Sequence, residues 1–161
     1  MPEQRLEQLI KLNHPFINQN YKGVVGIIVL ESFIFQDLEN HLSQYKLTYQ
    51  QFNILRILKG QHPNGVQLSV LKERMLHKNS DVSRLVDRLV AMNLVEKPPN
   101  EFNKRKLHIQ LTEEGLNLIS TIDIGHPAFQ SIMSALDDEE ILLFNKLVNK
   151  VIDQKLLHQK K

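Results

Sequence analysis

Between Asp81 and Met92 the apolar residues Val82, Leu85, Val86, Leu89 and Val90 recur at i, i+3, i+4, i+7 and i+8. That spacing puts them on one stripe of an α-helix and fits no strand, in which side chains alternate with a period of two. Outside the stripe lie Asp81, Ser83, Arg84, Asp87 and Arg88, with Ser80 just ahead. Such a helix must rest its stripe on a core and turn a polar, mostly charged side outward. Ser69 to Leu76 reads as another amphipathic helix, and His77-Lys78-Asn79-Ser80 as the break between the two. The order helix, short break, helix is that of a helix-turn-helix.

A basic hairpin follows. Leu107, Ile109 and Leu111 alternate with Lys106, His108 and Gln110, the period of a half-buried strand, and Leu94 to Lys97 supplies its partner. The loop between them, Pro98 to Arg105, is polar and runs into Lys104-Arg105-Lys106. Short polar groups at a helix start, with arginines behind them, suit base edges and phosphates in a major groove. A basic hairpin beside that helix suits the neighbouring backbone or minor groove. The plainer reading is a solvated helix surface, on which Asp81 with Arg84, or Arg84 with Asp87, form exposed pairs worth a few tenths of a kcal/mol, roughly.

Charge distribution agrees with a nucleic-acid face. The chain carries a formal +2, yet Lys72 to Lys106 holds nine Lys or Arg against five Asp or Glu, a local +4 that leaves −2 elsewhere. There is no cysteine, so disulfides, thiolate metal sites and thiol-based redox sensing are excluded. Catalysis finds no support: the sequence has no glycine-rich phosphate loop, no Gly-x-Ser-x-Gly and no helical His-Glu-x-x-His. No cofactor is expected. The longest apolar run, Val24 to Leu30, is too short to cross a bilayer, and the polar N-terminus does not read as a signal peptide. A cytoplasmic protein without a membrane partner is the expectation.

The remaining segments read as helices. Glu3 to Asn13 places Leu6, Leu9 and Ile10 on one side. Tyr21 to Tyr45 forms a long helix whose first half is apolar nearly all round, which predicts burial on more than one side. Thr48-Tyr49-Gln50-Gln51 is a capping box opening a helix that closes at Gly60. His62 to Gly65 is turn chemistry, and Val66-Gln67-Leu68 adds a third short strand. Thr112 caps a helix with Glu113 and Glu114 in its first turn, where the helix dipole favours them. Pro127 should bend or interrupt that helix. Asp137 and Asp138 open the last one, striped by Ile141, Phe144, Val148, Val151 and Ile152.

Asp81 to Leu89, Asn93-Leu94-Val95-Glu96, Lys104-Arg105 and Leu111-Thr112-Glu113-Glu114-Gly115 together resemble the winged helix-turn-helix core of the MarR family of bacterial transcription regulators, over Leu47 to Gly115. The resemblance implies a mainly α fold with a small β-wing, a winged helix-turn-helix flanked by N- and C-terminal dimerisation helices. On that reading residues 1–161 form a single domain, with 47–112 as the DNA-binding core and 1–46 and 113–161 as dimerisation helices. One departure stands out. The family's wing usually carries an Asp-x-Arg-Asp-like run, whereas this chain reads Asn100-Glu101-Phe102-Asn103, so Phe102 occupies the arginine position. Lys104 and Arg105 are then expected to carry the electrostatic part of the wing contact. Phe102 is either an apolar contact or a loop aromatic without a DNA role.

The functional expectation is a homodimeric regulator of double-stranded DNA, a repressor rather than an activator, reading an inverted-repeat operator. Asn79, Ser80, Asp81, Ser83 and Arg84 are the candidates for the major groove. Lys78, Lys104, Arg105 and Lys106 are the candidates for phosphate, and Arg88 for either DNA or a structural pair with Asp87 or the wing. The resemblance also implies release by a small-molecule effector, for which His41, Tyr49, Phe52 and residues near Leu116 to Ile122 are candidate borders; plain core packing is the competing reading. Two other classes stay open. One is a metal-responsive regulator using Asp37 and His41, one turn apart, which would still need further ligands. The other is a winged-helix protein-interaction module without specific DNA binding.

Overall fold

The computed structural model describes residues 5–76, 81–98, 108–123 and 132–159. The chain divides into two compact units, Met1–Ile124 and Gly125–Lys161. The first unit contains α1 (Arg5–Leu9), α2 (Gln19–Ser43), α3 (Tyr49–Lys59), β1 (Val66–Gln67), α4 (Leu68–Arg74), α5 (Val82–Ala91), β2 (Val95–Glu96), β3 (His108–Leu111) and α6 (Glu113–Asp123). The described part of the second unit is dominated by one helix, α7 (Asp138–Gln159).

Helix α3 is the centre of the first unit, touching α2, α4, α5, α6 and β3. Its first turn is fixed by the capping box: the Gln51 backbone N–H donates to the Thr48 hydroxyl at 3.3 Å, and the Thr48 backbone N–H donates to Gln51 Oε1 at 2.9 Å. Phe52, Ile54, Leu55 and Leu58 are then all buried. The sheet has the order β1-β3-β2, antiparallel throughout, with Val66 opposite Ile109 and Val95 opposite Leu111. Those four apolar residues face the core together, as alternation along β3 requires.

Three helices end in the same way, and none uses glycine. Lys11, Lys46 and Asn93 have φ of 52°, 56° and 57°, the left-handed region. The leucine after each returns its N–H to the carbonyl five residues back: Leu12 to Glu7, Leu47 to Leu42, Leu94 to Leu89. This is the Schellman stop, in which the residue after the turn also makes an apolar contact with the helix. Leu47 and Leu94 are buried accordingly. The first stop ends α1 short of the expected Asn13.

Two expectations are corrected. The first half of α2 is not buried on several sides: Val24, Ile27 and Ile28 are 54%, 61% and 57% exposed in the single chain. Within this helix only Leu38 and Leu42 are buried, because the winged core lies against its C-terminal half. On α5, Val82, Val86 and Leu89 are buried as the stripe requires, but Val90 is 39% exposed, at the edge of the stripe. The α7 helix opens on a capping box between Asp137 and Glu140 (2.9 and 3.0 Å). Its Val151 and Ile152 are exposed. Pro127 lies outside the described residues.

Candidate nucleic-acid interface

Helices α4 and α5 pack on each other and on α3, and both of their C-terminal ends rest on buried amides of α3. Asn53 Nδ2 approaches the Met75 sulfur at 3.6 Å, and Gln51 Nε2 approaches the Met92 sulfur at 3.8 Å. Thioethers are weak acceptors, so these contacts position more than they stabilise. With its inner side seated, α5 turns Asp81, Arg84, Asp87 and Arg88 to solvent and leaves Ser83 half-buried.

Asp81 is the N-cap of α5. Its Oδ1 accepts the backbone N–H of Arg84 at 3.3 Å, and its Oδ2 forms an ion pair with Arg84, 3.1 Å from Nε. The Arg84 side chain is 82% exposed. Asp81 therefore takes Arg84, as one of the expected pairs had it. Asp87 does neither of the things expected of it. It pairs with Lys97, at the root of the hairpin, ten residues further along. That contact ties the outer side of α5 to the wing, and Glu96 and Gln110 join the two wing strands beside it at 2.7 Å. Lys97 was not among the sequence candidates. A link across ten residues has no local signal and depends on the direction in which β2 leaves α5.

The exit of α5 is fastened to the start of α6. Asn93 Nδ2 donates to Glu114 Oε2 at 2.9 Å, the Thr112 hydroxyl donates to the Asn93 carbonyl at 2.7 Å, and the Thr112 N–H donates to the Leu94 carbonyl at 3.2 Å. Thr112 also caps α6, accepting from the Gly115 N–H at 3.0 Å. A Cβ at position 115 would sit 1.9 Å from the Leu94 carbonyl oxygen, so only glycine allows this approach.

Of the remaining candidates, Lys78, Asn79, Ser80, Lys104, Arg105 and Lys106, together with Phe102, lie outside the described residues. Of the effector candidates, His41 lies on α2, Tyr49 and Phe52 on α3, and Leu116 to Ile122 on α6. Tyr49 is buried and meets Phe35 edge-on at 4.8 Å; Phe52 is buried with the Arg56 guanidinium 5.9 Å from its ring centre. Burial pushes the Tyr49 phenol above its usual value of 10.0. His41 is half-buried, its Nδ1 3.2 Å from Gln44 Nε2 and its ring 5.5 Å from that of Tyr45. Among the described residues no three His, Cys, Asp or Glu side chains cluster to hold a metal, around Asp37 and His41 or elsewhere. Nor is any described helix long and apolar enough to cross a membrane.

Comparison with known proteins agrees with this geometry. Residues 45–106 match the MarR family. The HTH-type transcriptional regulator MgrA of Staphylococcus aureus is 30% identical over 109 residues, covering 68% of this chain and 72% of that one. The HTH-type transcriptional regulator PecS of Dickeya dadantii is 28% identical over 131 residues, covering 80% and 79%. A mutant of Escherichia coli MarR, solved in complex with operator DNA, has the same fold. Its TM-score is 0.73 at 23% identity, over 86% of this chain and 99% of that chain.

Proposed function

This chain belongs to the MarR family of transcription regulators, and from that premise we propose that it is a homodimeric repressor of the cytoplasm that binds an inverted-repeat operator in double-stranded DNA. The observation that carries the reading is the two-sidedness of α5. One side is seated on α3, and the other offers exposed charged residues between a helix-turn-helix and a hairpin. In this reading α5 enters the major groove, with Asn79, Ser80, Asp81, Ser83 and Arg84 towards the bases. Lys78, Lys104, Arg105 and Lys106 neutralise phosphates, and Arg88, exposed near the far end of α5, borders the backbone.

Residues 47–112 are the reading core, and 1–46 and 113–161 supply the dimer. Exposed apolar residues on α2 and on α7 support that assignment (Ile27, Ile28, Leu142 and Leu157 among them), since contiguous exposed apolar surface marks interaction sites. A small-molecule effector bordered by His41, Tyr49 and Phe52 releases the operator by favouring a different separation of the two reading helices. It acts through its difference in affinity between the two states. The test is selection of binding sites from a random double-stranded library at near-physiological salt. An enriched inverted repeat is the expected result. Weak binding with no enrichment would overturn the reading in favour of a protein-interaction module.

A further inference from the structure

A carboxylate at the DNA-facing start of a reading helix needs an explanation. It repels phosphate, and a neutral serine, threonine or asparagine would cap the helix about as well. In this chain both oxygens of Asp81 face one residue, Arg84: one accepts its backbone N–H at 3.3 Å, the other forms an ion pair with its side chain, 3.1 Å from Nε. Asparagine has no charge and carries an NH2, a donor only, where Asp81 has its second oxygen, so it can cap the helix but not pair with the guanidinium.

Pairing at Nε draws that edge of the guanidinium towards Asp81 and leaves its far edge, the two Nη groups, for a partner. The Arg84 side chain is 82% exposed, so that edge is accessible. Two parallel N–H donors match the O6 and N7 acceptors of guanine. Adenine offers one acceptor and one donor in the same places and is refused.

Resting on the DNA-binding reading above, we infer that Asp81 is a positioning residue that presents Arg84 end-on to a guanine, making guanine a required base in each half-site. In the free protein the pair is exposed and screened, so it adds little to stability. Inside a groove that excludes water the same pair strengthens. Asp81 thus exchanges general affinity for discrimination: its charge weakens binding to any sequence, while its grip on Arg84 sharpens the choice of base.

The experiment uses the full chain and its selected operator duplex, with each half-site guanine replaced in turn by 7-deazaguanine, which lacks the N7 acceptor, or by adenine. For the wild type, one such position should weaken binding about ten- to a hundredfold on replacement by adenine, and less for the deaza base. Arg84→Ala should be indifferent to the deaza base at that position. Asp81→Asn, which keeps a cap, should melt with the wild type, bind random duplex more tightly, and lose at least threefold in guanine-over-adenine preference. Equal losses for Arg84→Ala on both duplexes would make Arg84 a phosphate contact and overturn the inference alone. Unchanged base preference in Asp81→Asn would reduce Asp81 to a cap, with the same consequence. If the wild type selects no operator, the DNA-binding reading falls and the inference with it.

Discussion

The two halves of α2 differ more from each other than either differs from its neighbours. In the C-terminal half, Leu38 and Leu42 are 2% and 0% exposed; in the N-terminal half, Ile27 and Ile28 are 61% and 57% exposed. The side chains are of one kind and the helix is continuous, so composition cannot account for the contrast. The C-terminal half has α3 to lie against. An apolar run thus states a need for cover without saying whether its own chain provides it. In the proposed dimer a second copy provides it for the N-terminal half.

The strongest way to break that comparison is to hollow the covered side. Phe52→Ala removes a ring that is 1% exposed and should cost about 3–5 kcal/mol in urea unfolding. A loss below about 1 kcal/mol would show that α3 is not the centre of the core. A smaller effect, on the uncovered side, comes from Ile27→Lys combined with Ile28→Lys. The fold of the single chain should change by no more than about 0.5 kcal/mol, while sedimentation equilibrium should show dimer dissociation at least about tenfold easier. An unaltered dissociation constant would move the interface elsewhere. The smallest effect sharpens the boundary at Tyr49, where α3 begins. Burial raises its phenol above the usual 10.0, so above that pH the folded state keeps a proton the unfolded state releases. Stability should therefore fall as pH rises past about 10. Tyr49→Phe should remove that part of the slope, and an identical slope in the variant would assign it to other groups.

What was legible in the sequence was mostly local. Asp81 opens α5, Thr48 and Gln51 open α3, and Thr112 opens α6, each through bonds spanning three residues. Such caps depend on neighbours in the chain and can be read from it. The short β1 strand and the alternation of Ile109 and Leu111 were legible for the same reason. Helix ends without glycine were harder. Lys11, Lys46 and Asn93 stop their helices in the left-handed region, and the shared signal is a leucine directly after each. The tie between Asp87 and Lys97 was not legible at all, because it requires knowing the direction β2 takes after α5. Nor was the exposure of α2, where the sequence reports a demand for burial and only the assembled chain reports whether it is met. Of the proposed DNA-facing residues, Ser83, Arg84 and Arg88 lie on α5 and Asp81 is its N-cap.

The junction at Asn93 and Leu94 has a mechanical consequence. The exit of α5 and the entry of α6 share three hydrogen bonds and a glycine with no room for a Cβ. The end of α5 and the start of α6 are thereby held in one relation, and a side chain at position 115 would have to push them apart. In the proposed dimer, a shift of α6 would carry the end of the reading helix with it, so the spacing of the two reading helices would follow α6.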